Sequence, residues 1–170
     1  MIFVTVGTHE YKFNRLVQAA DELVEFVDEE VVIQRGSSDY IPCHATYFDW
    51  ATSNEMETWI ERSRLIISHA GAGTIIMTFK HDKKMVLAPR LAARGEVFND
   101  HQLQLANIMQ QKGNAVVVLD LTVQSLLDAI KQASEQNRPI INSSSLIEAI
   151  HIKLSNWQEL LINMKQREGK

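Results

Sequence analysis

Short apolar runs rich in β-branched residues recur along this chain, at 2–6, 31–33, 65–68, 85–88 and 115–119. The first, from Ile2 to Val6, is continuous and ends at Gly7, which is the pattern of a strand buried on both faces. Segments with helical spacing of apolar residues lie between the runs. From Asn14 onward, Leu16, Ala19, Ala20, Leu23 and Phe26 mark one face of a helix expected over 14–26. Strands that alternate with helices in this way predict an α/β fold, a parallel sheet with helices on both faces.

The remaining elements follow the same reading. A short third strand is expected over 44–48. Residues 55–62 read as a helix with Ser53 or Asn54 as its cap. Further helices are expected over 74–80, 99–111 with Gly113 as terminator, and 122–133 with Thr122 as cap. A long C-terminal helix is expected over 143–166, its stripe including Leu146, Ile150, Leu154, Trp157 and Leu161. The whole reads as one Rossmann-like domain spanning 1–170. In such sheets ligands gather at the carboxyl ends of strands. The polar loops at 7–10, 35–38, 68–73 and 89–99 all fall there, so four loops converge on one edge.

The loop Ser68-His69-Ala70-Gly71-Ala72-Gly73-Thr74 is the most informative of them. It joins a buried strand to a helix. Its glycines let the chain turn and let a ligand come close to the backbone. The helix behind it offers unpaired N–H groups and the positive end of its dipole, an arrangement suited to an anion.

Composition narrows the alternatives. The net charge of −4 and the lack of a basic stripe argue against nucleic acid as a partner. A single cysteine, Cys43, forms no internal disulfide, fits a reducing compartment, and is expected to be buried. No zinc motif is present. The N-terminus lacks the basic region of a signal peptide, and no apolar run reaches the roughly 20 residues of a membrane span. A nicotinamide-dependent oxidoreductase is disfavoured, because no G-x-G-x-x-G follows the first strand and Gln34-Arg35 stands where an acid is needed.

The motifs resemble those of a known group. Ser68 to Thr74, and Val4-Thr5-Val6-Gly7-Thr8, are similar to the catalytic subunit of the eukaryotic dolichol-linked N-acetylglucosaminyltransferases. Four further segments look closer to bacterial two-subunit transferases of capsule and exopolysaccharide assembly. They are Gly7-Thr8-His9-Glu10, Phe13-Asn14-Arg15-Leu16, Pro89-Arg90 with Gly95-Glu96, and Asn99-Asp100-His101-Gln102. The resemblance covers about residues 2–120. It implies a GT-B glycosyltransferase divided between two chains, this one being the C-terminal, nucleotide-sugar half. The implied partner is a membrane-anchored, acceptor-binding subunit, and the chain would be cytoplasmic and peripheral to the membrane through it. The C-terminal helix would dock on that partner. The length fits independently, since a complete GT-B enzyme needs two such domains.

The resemblance implies a donor site for the diphosphate of a UDP-sugar, formed by Gly7, Thr8, Ser68, Gly71, Ala72, Gly73 and Thr74. Arg90, Glu96, Asp100, His101 and Gln102 would complete it, with Asp100 and Gln102 on the sugar hydroxyls. Asn99 and Asp100 also suit a helix cap. His9 would touch phosphate or deprotonate the acceptor hydroxyl. His69 would either shape the loop through the backbone or face the diphosphate as an imidazolium. For a hexuronate donor, Arg90 or Arg94 would be the counter-charge. Related transferases often carry a ribose-binding glutamate where Met77 stands, so either the ribose is held otherwise, as through Glu96, or nucleotide affinity is low without the partner. The implied reaction is inverting transfer of a hexose or hexuronate to a lipid-linked saccharide, with no metal and no cofactor beyond the donor. The alternatives are N-acetylglucosamine transfer and a non-catalytic nucleotide-binding or scaffold subunit.

Overall fold

Neighbouring residues of each strand face opposite sides of the sheet, and each side meets its own helices. The computed structural model describes residues 1–136, which fall within one unit, Met1–Pro139. The helix expected over 143–166 lies outside the described residues. The strands are β1 (Ile2–Thr5), β2 (Val31–Gln34), β3 (Thr46–Phe48), β4 (Leu65–Ser68), β5 (Lys84–Leu87) and β6 (Val116–Val117). They form a parallel six-stranded sheet of order β3-β2-β1-β4-β5-β6. The helices are α1 (Asn14–Leu23), α2 (Ser53–Arg62), α3 (Ala72–Lys80), α4 (His101–Gln111) and α5 (Val123–Glu135).

On one side, Ile2, Val4, Ile33, Leu65, Ile67 and Val86 pack with Leu16, Ala20 and Leu23 of α1 and with Leu126 and Ile130 of α5. On the other, Phe3, Val32 and Ile66 pack with Ile60 of α2 and with Met56, Trp59 and Met77. Phe3, Phe48 and Trp59 stack there, with ring centroids 5.7–6.2 Å apart. Burial of these apolar side chains on both faces, about 1.5–3 kcal/mol each, is what drives the sheet together.

Several boundaries move from their expected places, each for a physical reason. Helix α2 starts two residues earlier, because Thr52, not Ser53 or Asn54, is its cap. Thr52 accepts from the Glu55 N–H while the Glu55 carboxylate takes the Thr52 N–H, a reciprocal box that fixes the start. Helix α1 tightens into a 3-10 turn at Val24–Phe26, which leaves Phe26 exposed rather than on the buried face. Helix α4 opens at His101, two residues later than expected; Asp100 makes no side-chain capping bond there, whereas the Asn99 side-chain oxygen accepts from the His101 N–H at 3.2 Å. Cys43 is exposed, not buried. It lies in the 40–45 loop, which the fully buried carboxylate of Asp21 organises by accepting from the Tyr40 hydroxyl and the N–H groups of Cys43, His44 and Ala45.

Candidate functional site

The strand order reverses between β1 and β4, and two loops leave the carboxyl ends of those strands side by side. This is the switch point at which open α/β sheets leave a crevice. The loop after β1 is held by Gln34, at the end of β2. Its Oε1 accepts from the Gly7 N–H at 3.1 Å and from the Thr5 hydroxyl at 2.6 Å, and its amide donates to the Gly7 carbonyl at 3.1 Å. Gly7 takes a φ of +78°, a conformation that favours glycine.

The loop after β4 carries its own strain. Ala70, a residue with a side chain, sits at φ +63° and is buried. Helix α3 then begins at Ala72 after Gly71, with no side chain capping its first N–H groups. Those groups and the helix dipole point at the crevice mouth. A Cβ on Gly73 would meet nothing within 4 Å, so space is open at the second residue of α3.

His69 forms the floor between the two loops. Its ring is 8% exposed and lies against both glycines: a Cβ on Gly7 would stand 2.4 Å from Cε1, and one on Gly71 would stand 2.2 Å from Nε2. Nδ1 lies 3.3 Å from the Thr5 carbonyl oxygen and donates to it. Burial, then the nearby Arg90 charge, push its pKa down to about 3, against the raising effect of the Thr5 carbonyl. The ring is therefore neutral at physiological pH. Of the two roles expected for His69, the contact with the Thr5 carbonyl fits the one that shapes the loop through the backbone; a buried ring beside an arginine is a poor place for a second proton.

His9 behaves oppositely. It is exposed, stacks on Tyr11 with centroids 4.7 Å apart, and its Nδ1 accepts from the Tyr11 N–H at 3.3 Å. The proton of its neutral ring then sits on Nε2, so this histidine offers a donor. In that arrangement it suits a phosphate contact better than removal of a proton from an acceptor.

Arg90 turns inward. Its side chain is fully buried over the Phe13 ring, at 4.9 Å from the centroid, and Nη2 donates to the carbonyls of Val6 and Tyr11 at 2.9 and 3.0 Å. Nε and Nη1 have no hydrogen-bond partner among the described residues. Burial lowers its pKa to about 10, with Glu96 acting in the other direction. Arg90 thus braces the loop after β1 from behind, and of the two arginines considered as a counter-charge only Arg94 is exposed.

Glu96, expected as a substitute ribose ligand, is engaged elsewhere. It pairs with both forks of Arg15, at 2.8 and 3.0 Å, and accepts from the Leu91 N–H at 2.9 Å. Arg15 also donates to the Leu119 carbonyl at 2.6 Å. Two further side chains shape the same loop: Asp100 accepts from the Ala92 N–H at 3.3 Å and Gln102 from the Arg90 N–H at 3.1 Å. Asp100 is exposed; His101 and Gln102 are half-buried. Ser68 and Thr74 are buried, Ser68 accepting from the Ala70 N–H at 3.4 Å, while Ala72 is half-buried and Thr8 exposed. Met77 packs into the core face built on Phe3. Beside the site, a groove of about 490 Å³ runs between residues 10–12, 14–15 and 95–96. Phe98, 66% exposed, stands near Tyr11 at a centroid distance of 6.2 Å.

Gln34 and Arg15 escaped the sequence reading. Gln34 left one signal, a polar residue closing an otherwise apolar strand. Among the described residues no cluster of three or more His, Cys, Asp or Glu side chains is placed to hold a metal ion. No described helix is long and apolar enough to cross a membrane.

A parallel sheet of this order, with a glycine turn and an open helix start at its switch point, defines a Rossmann-like domain of the GT-B type. The chain belongs to the glycosyltransferase family 28 C-terminal domain family, whose model matches residues 1–153. It is 27% identical over 122 residues to the human UDP-N-acetylglucosamine transferase subunit ALG13, covering 66% of this chain and 10% of that protein. Among solved structures it resembles the glycotransferase of kitacinnamycin, with TM-score 0.65 and 18% identity over 89% of this chain and 39% of that one. It also resembles the calicheamicin glycosyltransferase CalG4, with TM-score 0.61 and 17% identity over 88% and 36%. A UDP-glucose:anthocyanidin 3-O-glucosyltransferase in complex with UDP gives TM-score 0.61 and 14% identity over 91% and 34%. These structural likenesses establish the fold. The chain spans about a tenth of its curated relative and well under half of each solved neighbour.

Proposed function

We propose that this chain is the donor-binding half of an inverting glycosyltransferase. It would move a hexose or hexuronate from a UDP-sugar to a lipid-linked saccharide in capsule or exopolysaccharide assembly. A membrane-anchored second chain would supply the acceptor-binding half and bring this cytoplasmic chain to the membrane. The observation that carries the reading is the crevice between β1 and β4, where the uncapped start of α3 and the open face of Gly73 meet the Gly7 loop. Membership of a glycosyltransferase family supports it.

The chemistry follows from charge. As the acceptor oxygen attacks the anomeric carbon, negative charge builds on the departing diphosphate. In this reading the first N–H groups of α3 and the Nε2–H of His9 meet that charge, with no metal. Asp100, His101 and Gln102 hold the sugar in the same reading, and Arg94 is the counter-charge for a hexuronate. The proton of the acceptor hydroxyl is assigned to a base on the other half, since Nδ1 of His9 already accepts from the Tyr11 N–H and the His69 ring is buried between the glycines. The similarity to the human subunit favours a second reading, transfer of N-acetylglucosamine by the same geometry.

Calorimetric titration of UDP, UDP-glucose, UDP-glucuronate and UDP-N-acetylglucosamine into the chain, alone and with its partner, tests this. Binding of UDP with one sugar preferred is the expected result. No binding in either state would leave a scaffold subunit as the better account.

A further inference from the structure

The loop after β1 borders two hollows. Its first residue, Gly7, stands against the His69 ring in the crevice. Its last residues, Glu10, Tyr11 and Lys12, line the groove of about 490 Å³, with the start of α1 and Gly95–Glu96 as the other wall. Four residues of chain reach at most about 14 Å, so groove and crevice are neighbours. They open on different sides of the sheet. Helix α1 packs on the side of Val4 and Ile67, whereas Met77 of α3 packs on the side of Phe3. An enzyme that joins two substrates needs two adjoining places, and here a single loop divides them.

The groove suits an uncharged ligand rich in hydroxyls. Arg15 is committed to Glu96, and Lys12 pairs with Asp39 at 2.8 Å. Glu10 is exposed and makes no ion pair among the described residues. The unbalanced charge is therefore negative and opposes a phosphate or a carboxylate. Glu10 offers acceptors. Asn14 spends its Oδ1 on the N–H groups of Asp39 and Tyr40, at 2.8 and 3.3 Å, which leaves its NH₂ as a donor. Space is open at Gly95, where a Cβ would meet nothing within 4 Å.

Aromatic rings complete the wall. The buried Arg90 guanidinium pins the Tyr11 carbonyl at 3.0 Å, and His9 stacks on the Tyr11 ring with 10° between planes. Phe98 is tilted 49° to Tyr11, and two-thirds of it faces water. Fixed aromatic surface beside a few convergent polar groups is the make-up of a small-molecule site. A pyranose ring has the matching character, with C–H groups on its face and hydroxyls around its edge.

We propose that this groove is an acceptor subsite that holds a neutral pyranose of the acceptor saccharide. The sugar packs its C–H face on Tyr11 and Phe98 and sets its hydroxyls on Glu10 and Asn14. This rests on the donor-binding reading above, which supplies the crevice next to it. It gives the donor-binding half a share in choosing the acceptor.

The test is ¹H–¹⁵N correlation NMR on the full chain. The methyl β-glycosides of glucose, galactose, N-acetylglucosamine and glucuronate are titrated in turn, with UDP present and absent, and UDP is titrated separately. At least one neutral glycoside is expected to move the signals of residues 10–15 and 95–98 and to leave 71–74 in place, with the glucuronide binding more weakly. Phe98→Ala should weaken the neutral sugar by about 2- to 12-fold, the worth of one aromatic contact, and leave the affinity for UDP unchanged. Glu10→Gln should narrow the gap between the neutral sugars and the glucuronide. Both side chains are exposed, and an otherwise unchanged spectrum shows that each variant is folded. No movement with any glycoside, movement confined to 71–74, a glucuronide that binds best, or full affinity in Phe98→Ala overturns the subsite and leaves the donor-binding reading intact. The same holds if the partner half covers residues 10–15 and 95–98 and abolishes their response to sugar, which makes the groove a protein interface. Failure of UDP to bind overturns the donor-binding reading, and the acceptor assignment with it.

Discussion

Alanine in place of Gly73 separates folding from ligand binding. Gly73 is the second residue of α3, and a Cβ there meets nothing within 4 Å. Alanine in a helix is favoured over glycine by about 0.5–1 kcal/mol, so Gly73→Ala should not destabilise the domain. For a chain of this size that gain raises the melting temperature by about 2–4 °C at most. The ligand sees the opposite effect. Cα–Cβ bonds in a helix tilt toward its N-terminus, so the added methyl points to the place assigned to the diphosphate. Loss of one charged hydrogen bond there costs about 1.5–3 kcal/mol. That is a rise in Kd for a UDP-sugar of about 10- to 150-fold.

Gly71→Ala is the control. Gly71 has φ −71°, so alanine brings no backbone strain, but its methyl would stand 2.2 Å from His69 Nε2. Overpacking of this kind costs about 1–3 kcal/mol, and the melting temperature should fall. Thermal unfolding and calorimetric titration on the same samples read both quantities. Wild-type affinity in a stable Gly73→Ala protein would refute the placement of the anion at α3. A lowered melting temperature in that variant would refute the claim that space is open there.

Three further outcomes are expected. Arg15→Ala should lower stability by about 1.5–3 kcal/mol in denaturant titration, because Glu96 and the Leu119 carbonyl lose charged partners, and Arg15→Lys should recover only part of it, since one ammonium cannot replace a bidentate fork. Burial raises the Asp21 pKa, yet the N–H groups of Cys43, Ala45 and His44 and the Tyr40 hydroxyl outweigh it and hold the pKa below 3.8. The Asp21 contribution is thus complete above the unfolded pKa and lost as pH falls through the folded one; Asp21→Asn should cost about 1.5–3 kcal/mol at neutral pH and flatten the acid limb of a stability–pH curve. Arg90→Met should strand the Val6 and Tyr11 carbonyls at about 1–3 kcal/mol each and raise the donor Kd through the loosened loop, with urea unfolding and titration as the readouts.

The sheet was legible because its signal is local. Five of the six strands are apolar runs, and three of the four loops singled out at carboxyl ends begin with a polar or glycine residue. The cap of α2 was misplaced because Thr52, Ser53 and Asn54 are all good caps, and only the returning bond from Glu55 decides among them. Cys43 was read from an average, that cysteines are buried, and departs from it; Arg90 was read from resemblance as a donor-site residue, and its side chain is buried against Val6, Tyr11 and Phe13 instead. Arg15 and Glu96 stand 81 residues apart, so their pairing is invisible to any local pattern. Each did fall inside a segment singled out by resemblance, and that co-occurrence was the only signal available.

The glycines of the site also show why a motif can be found by eye and still be misread. Gly71 and Gly73 look like one turn in the sequence. In the fold they answer to different demands. Gly71, with Gly7 from another loop, is small because the His69 ring needs the room, and that ring in turn needs the Thr5 carbonyl to fix its proton. Gly73 has no neighbour to accommodate among the described residues, and at the start of a helix the remaining reason for a missing side chain is what approaches from outside. The pair therefore divides into a residue that builds the floor of the crevice and a residue that keeps its mouth open. A substitution at the first should be felt by the folded chain before any ligand arrives, whereas one at the second should be felt only when the ligand does.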